Sequence, residues 1–314
     1  MTETSVASEL ALSRLALGVY GYVQADARWG LSNAGLVASE GEALLVDTQY
    51  TPQMTRHLLD AIAAELPDVA LGRVVTTHAN GDHCWGLQLL PDAEVIATAA
   101  SAAHQCREIS PAQMTALQLA DADTPLIQYV RHHFAGFDFT EVEVRQPTVT
   151  FTGSLELTVG KLAVELIEVG PAHTKGDAVV HVPEAGVVFA GDILFVGAHP
   201  MIWDSLTGCI KATDRLLATG AEIFVPGHGP VVGRAAVEEI RDQMIGVAEQ
   251  AFTHAQLGTP LTAAARQVMQ GQQPGWVHPE RLYSAVASAY VEAGIEGAPS
   301  DALGIASGMA ALAG

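Results

Sequence analysis

The chain is poor in cysteine, poor in lysine and without a long apolar run, and each shortage closes off a class of protein. Three cysteines (Cys84, Cys106 and Cys209) cannot build a disulfide framework, and no two have the spacing of a metal knuckle. Only three lysines occur, Lys161, Lys175 and Lys211, and the arginines are scattered. Lys and Arg total 15 against 35 Asp and Glu, a net charge of −20. Such a chain is repelled by phosphate backbones and anionic membrane surfaces, so neither is an expected partner. The longest apolar runs, such as Val187–Ala190, are far too short to cross a bilayer. The segment Met1–Leu17 carries Glu3 and Glu9 and has no basic start followed by an unbroken apolar stretch. It does not read as a signal peptide, and a soluble cytoplasmic protein is expected.

What is present suffices for a large core. The 314 residues are 49% hydrophobic and 16% charged, which excludes a disordered chain. Short strand-like segments alternate with helical ones in the first half. Gly18–Val23, Gly35–Ala38, Ala43–Val46 and Arg73–Thr77 read as strands, and Thr51–Leu66 as a helix with Pro52 in its first turn. Residues 98–137 are Ala-rich and helical in pattern, broken at Pro111 and Pro125. Strands return at Thr148–Phe151, Glu156–Val159, Leu162–Val169, Ala178–Val182 and Val187–Ala190. A helix at about Gly208–Ala218 and a strand at Glu222–Val225 follow. From Arg234 the chain reads as helices broken near Gly258–Pro260 and Gly271–Pro279. Two strand groups with helices outside them predict an α/β, four-layer αβ/βα sandwich. Trp276, Leu282, Val286 and Tyr290 suit one packed helical face, as a lid or a homodimer contact.

Polar residues gather where strands end. Thr77-His78-Ala79-Asn80-Gly81-Asp82-His83 closes the strand Arg73–Thr77. His173 lies in the loop after Leu162–Val169, Asp192 follows Val187–Ala190, and His228 stands in Pro226-Gly227-His228-Gly229-Pro230. Each pattern alone is also what a capped loop or tight turn would show. A carboxylate at the end of a buried strand, however, is costly unless paired or metal-bound.

In order and spacing, His78-x-Asn80-x-Asp82-His83, then His173, Asp192 and His228, closely resemble the metallo-β-lactamase superfamily. The resemblance spans roughly residues 15–235, with a helical insertion at about 98–140 and a helical C-terminal extension over 236–314. It implies a site for one or two metal ions, zinc first, with iron or manganese as alternatives. One metal would be held by His78, Asn80 and His173, the other by Asp82, His83 and His228, and Asp192 would bridge them. The family usually has His where this chain has Asn80. An amide oxygen binds zinc less well than imidazole and suits harder cations, so the first site should fill more weakly than the second. A metal in such a site lowers the pKa of bound water toward ~7, and Asp82 or Asp192 can orient that water and move its proton.

The net charge argues against a nucleic-acid-processing member of the family, and the missing export signal against a true β-lactamase. About 80 mostly helical residues after Arg234 leave no room for a flavin domain. For glutathione carboxylates the Lys-poor C-terminal region offers Arg281. A hydrolase of a small thioester, lactone or ester remains, similar to a generic bacterial subgroup and to polyketide cyclase-thioesterases. Trp29, Asn33, Trp85, His199 and Trp203 are the expected pocket residues, beside Met201. Two other readings stand beside it: an iron-dependent, oxygen-using redox enzyme, and a binding protein with a degenerate metal site. Cys84, next to the ligands, reads as a small buried residue rather than a nucleophile.

Overall fold

The computed structural model of the protein describes residues 11–271 and 275–313. Residues 1–10, on which the expectation of no leader largely rests, and 272–274, within the expected helix break, lie outside them.

Thirteen strands among the described residues form two sheets. The first joins, in order, β1 (Leu12–Ala16), β2 (Val19–Tyr22), β3 (Ala34–Ser39), β4 (Glu42–Val46), β5 (Ala70–Val75), β6 (Glu94–Thr98) and β7 (Val149–Phe151). It is antiparallel up to β4 and parallel from β4 to β7. The second contains β8 (Ser154–Val159), β9 (Leu162–Glu168), β10 (Ala178–Val182), β11 (Val187–Phe195), β12 (Ile223–His228) and β13 (Val232–Gly233), neighbours in sequence order. Val37, Leu44, Val75 and Ile96 of the first sheet meet Val164, Leu166, Val180 and Phe189 of the second in a core between them. Helices cover the outer faces, so the layers are αβ/βα.

The helices begin where short polar side chains can satisfy free backbone N–H groups. Helix α1 (Pro52–Glu65) starts at Thr51, whose hydroxyl accepts from Met54 N, and buries Leu58 and Ile62 against the first sheet. A four-residue turn, α2 (Gly81–Cys84), follows β5. The insertion holds α3 (Ala99–His104), α4 (Pro111–Leu119) and α5 (Pro125–Phe134). Ser110 and Gln113 form a reciprocal capping box on α4, and Thr124 caps α5. On the second sheet lie α6 (Leu206–Ala218), α7 (Arg234–Gln256), α8 (Leu261–Gln270), α9 (Leu282–Glu292) and α10 (Ala302–Ala310). Leu282, Val286 and Tyr290 are buried within this chain, against α6 and α7, and Trp276 packs on the same cluster. The apolar face seen in the sequence is therefore spent internally.

Three strands have no counterpart in the sequence reading: β1, β6 and β13. β13 has two residues, and β1 and β6 are short and lack a clear alternation. A further difference concerns Asp192. The strand does not stop at Ala190 but runs to Phe195, because pairing with β12 resumes after a register shift at Gly191. Asp192 thus lies inside a strand. No described helix is long and apolar enough to cross a membrane.

Candidate metal centre

The chain ends of β5, β9 and β12 and the second half of β11 meet along one edge of the sandwich. Two glycines let them approach. Gly191 takes a left-handed φ of 52°, and a Cβ there would lie 2.7 Å from Thr77 Oγ1. A Cβ on Gly227 would fall 1.9 Å from Asp192 Oδ1, so only glycine leaves room for that carboxylate.

The expected ligand residues converge on Asp192. Its Oδ2 lies 3.3 Å from His173 Nε2 and 3.8 Å from His78 Nε2. Its Oδ1 lies 3.1 Å from His83 Nε2 and 3.4 Å from His228 Nε2. Asp82 Oδ2 is 3.4 Å from the same His228 nitrogen. Asn80 Oδ1 stands 2.7 Å from His173 Nε2. Two donor groups result, His78/Asn80/His173 and Asp82/His83/His228, with one Asp192 oxygen toward each.

The outer hydrogen bonds of the four rings fix which nitrogen faces inward. His173 Nδ1 donates to Met201 O at 2.7 Å, and His228 Nδ1 to Leu31 O at 3.0 Å. His83 Nδ1 donates to Asp47 Oδ2 at 2.9 Å. His78 Nδ1 lies 3.0 Å from Thr77 Oγ1, which itself donates to Asp47 Oδ2 at 2.8 Å and so accepts from the ring. Each Nε2 therefore faces into the site, where the neutral ring offers its lone pair, which is how metal-ligating histidines are prepared.

Asp47 and Glu108 were not singled out in the sequence, yet each orients a candidate ligand, His83 and Asn80 respectively. Asp47 is buried at a left-handed φ of 63° and also accepts from Thr77 N at 2.7 Å. Its signal was present: an aspartate directly after the buried run Ala43–Val46, the pattern that marked Asp192. Glu108 gave none. It accepts from Asn80 Nδ2 at 2.9 Å, which points Oδ1 at His173. Asn80 sits at the start of α2, where an Asn side chain ordinarily caps the helix. It makes no capping bond there and serves the site instead.

The donor set fits a divalent metal. Among the described residues His78 Nε2, His83 Nε2 and Asp192 Oδ1 are buried without a hydrogen-bond partner, which is costly unless a cation takes the place of one. Burial, with His83 beside it, holds His78 well below the ordinary histidine range, leaving it neutral. Burial also opposes charge on His83, but Asp192, Asp47 and Asp82 outweigh it and raise its pKa well above the usual value. That pull on a proton would act equally on a metal ion. Asn80 Oδ1 and His173 Nε2 are both lone-pair atoms, and a shared cation relieves their repulsion. Oxygen and imidazole donors without thiolate suit zinc, iron or manganese alike. Cys84 is buried, donates to Ala79 O at 3.3 Å, and burial pushes its thiol far above the usual range, so it stays protonated.

Above the donors a cavity opens to solvent. Asn80, Asp82, His173, Asp192 and His228 form its floor. Its apolar wall comes from α4, α5 and α10, through side chains such as Met114, Val130, Phe134, Leu303 and Met309. Of the expected pocket residues, Trp29, Trp85 and Trp203 line it, as does Met201. Asn33 and His199 do not. Asn33 is committed to backbone: it donates to Pro226 O and Gly229 O at 2.8 Å each, tying its loop to the turn that carries His228. His199 faces Trp276 on the far side of the segment, with ring centroids 5.6 Å apart. Arg281, at the start of α9, completes the wall.

A family model described as the metallo-beta-lactamase superfamily matches residues 27–228. A 2,4-dinitroanisole O-demethylase subunit alpha from Nocardioides sp. (strain JS1661) is 27% identical over 198 residues, 61% of this chain and 51% of that one. The match thus spans about half the length of that curated relative. Among solved structures, the inverting sec-alkylsulfatase Pisa1 from Pseudomonas sp. superposes with a TM-score of 0.68 at 16% identity, over 90% of this chain and 50% of its own. A metallo-beta-lactamase from Pontibacter korlensis superposes at 0.56 with 19% identity, over 75% of this chain and 98% of its own.

Proposed function

The chain belongs to the metallo-beta-lactamase superfamily, and from that premise we propose that it is a metal-dependent hydrolase of a small, largely apolar thioester, lactone or ester. The observation that carries this reading is the set of inward-facing donor atoms, His78 Nε2, His83 Nε2 and Asp192 Oδ1 among them, gathered with Asn80, Asp82, His173 and His228, of which these last four and Asp192 line an apolar cavity. His78, Asn80 and His173 would hold one metal, Asp82, His83 and His228 the other, and Asp192 both. Metals so held supply Lewis acidity and a water acidic enough to attack at neutral pH.

The protein's own groups do the rest. Asp82 and Asp192 sit where they can orient the attacking water and take its proton. The apolar wall excludes bulk water and strengthens charge interactions on the floor. Trp29, Trp85 and Trp203 shape the cavity for a flat or branched apolar body. The demethylase relative adds aryl methyl ethers to the substrates worth assaying.

One observation favours a second reading. Asn80 contributes a hard oxygen donor, which suits iron and hence an oxygen-using enzyme. A single assay separates the two. Under nitrogen, a hydrolase cleaves aryl esters or acyl thioesters, loses the rate to a chelator and regains it with added zinc or manganese. Turnover that requires oxygen, or a rate indifferent to chelation, would defeat the hydrolytic reading.

A further inference from the structure

Arg281 is the anomaly of the cavity. It lies in the turn Pro279–Arg281 ahead of α9 and is 1% exposed. Among the described residues no carboxylate comes within 4.0 Å of its guanidinium; no ion pair to it is formed. Among those residues its guanidinium makes one hydrogen bond, a long one of 3.5 Å to His199 O, and Nε finds no partner. The neighbouring Glu280 cannot serve, because its carboxylate is turned to Tyr129 Oη at 2.9 Å and His278 Nδ1 at 3.2 Å. Burial lowers the Arg281 pKa only to about 10, so the group stays charged at neutral pH.

Aromatic rings set its position. The guanidinium lies 4.0 Å over the Trp29 ring and 5.6 Å from the Phe195 ring. Phe195 in turn stacks flat on the ligand His228, centroids 5.1 Å apart. Arg281 is thus held beside the metal floor, and both line one cavity. Cation–π contact orients a guanidinium but does not neutralise it. Glu280, Asp192 and Asp82 favour its charge from a distance, but none pairs with it; a buried cation without a paired anion is costly, and a planar fork with free N–H groups matches a carboxylate or sulfate through two parallel bonds.

We propose that Arg281 is an anion-recognising residue of the cavity, and that the natural ligand is an amphiphilic organic anion. Its carboxylate or sulfate head pairs with the Arg281 guanidinium, and its apolar body lies among Met114, Leu117, Leu126, Val130, Leu303 and Met309. The proposal rests on the hydrolytic reading only in placing the bond to be cleaved over the metal floor. Its test requires no turnover.

Calorimetric titration of the metal-replete full chain with octanoate, octyl sulfate and 1-octanol reads the head group against a constant tail. The wild type is expected to bind one of the two anions about tenfold or more tightly than the alcohol, with the better anion identifying the head. Arg281→Met should abolish that preference while leaving 1-octanol affinity in place, and Arg281→Lys should keep part of it. Absence of preference in the wild type would overturn the proposal, as would full preference in Arg281→Met, which would assign the anion to the metals. Should neither variant fold, a crystal structure of the wild type with the tighter anion decides: the head on the guanidinium supports the proposal, and the head elsewhere overturns it. Chelator-sensitive hydrolysis with no anion preference would refute this inference alone and leave the proposed activity standing.

Discussion

Asn80 is held by its neighbours so that its side-chain oxygen serves the site. Glu108 fixes the amide so that oxygen, not nitrogen, faces His173. Replacing Glu108 with Ala frees the amide to turn, and the His78/Asn80/His173 group should lose metal affinity by about 10–100-fold, the usual worth of an outer partner. The Asp82/His83/His228 group should keep its affinity. Metal titration of the variant against the wild type checks this, and two unchanged binding steps would contradict it. Asp47 has the opposite reach, since it serves His83 directly and His78 through Thr77. Asp47→Ala should weaken both steps, by a similar ~10–100-fold at His83, and a loss confined to neither would show that the rings are oriented without it. The residues that converge on Asp192 could be picked out in the sequence because they come in short runs at strand ends. Glu108 was not, because only the folding of the insertion brings it 28 positions back to Asn80.

At the scale of elements, the site depends on how closely β11 and β12 approach. Gly227→Ala places a methyl group 1.9 Å from Asp192 Oδ1 in the unrelaxed backbone. Either the strands part or the carboxylate turns away. Overpacking of this kind costs about 1–3 kcal/mol, and a melting curve together with metal content should show lower stability and lost metal in one variant. A variant with full metal content would mean that the approach is looser than the structure has it. Most strands could be read from their apolar runs, but β1, β6 and the two-residue β13 could not, being short and lacking a clear alternation. The continuation of β11 past Gly191 was hidden for another reason: a left-handed glycine looks like a strand end in sequence, whereas here it shifts the register and pairing resumes.

At the scale of the whole molecule, the cavity is a joint product of segments distant in sequence. The strands supply its floor, the insertion and the C-terminal helices its wall. Local pattern predicted the helices but could not say that α5 and α10 would face each other across the same space; of the expected pocket residues Trp29, Trp85 and Trp203 line the cavity, whereas Asn33 and His199 do not. The buried histidines also set an acid limit. Burial lowers both His133 and His199 to about 4, against ~6.5 in the unfolded chain. Between those values the unfolded chain binds more protons, so stability falls as pH drops from about 6.5 toward 4. His199→Gln should flatten that slope, read as the change in urea midpoint between pH 7 and pH 5. An unchanged slope would place the acid sensitivity elsewhere, in metal release first.

The most direct test is a metal titration of the chelator-stripped, untagged full chain, read as the number and affinity of its binding steps. Two steps are expected, the weaker abolished by Asn80→Ala and the tighter by His228→Ala, because the structure aims complete but chemically unequal donor groups at Asp192. No stoichiometric binding, or two equal steps indifferent to Asn80, would contradict the site as described.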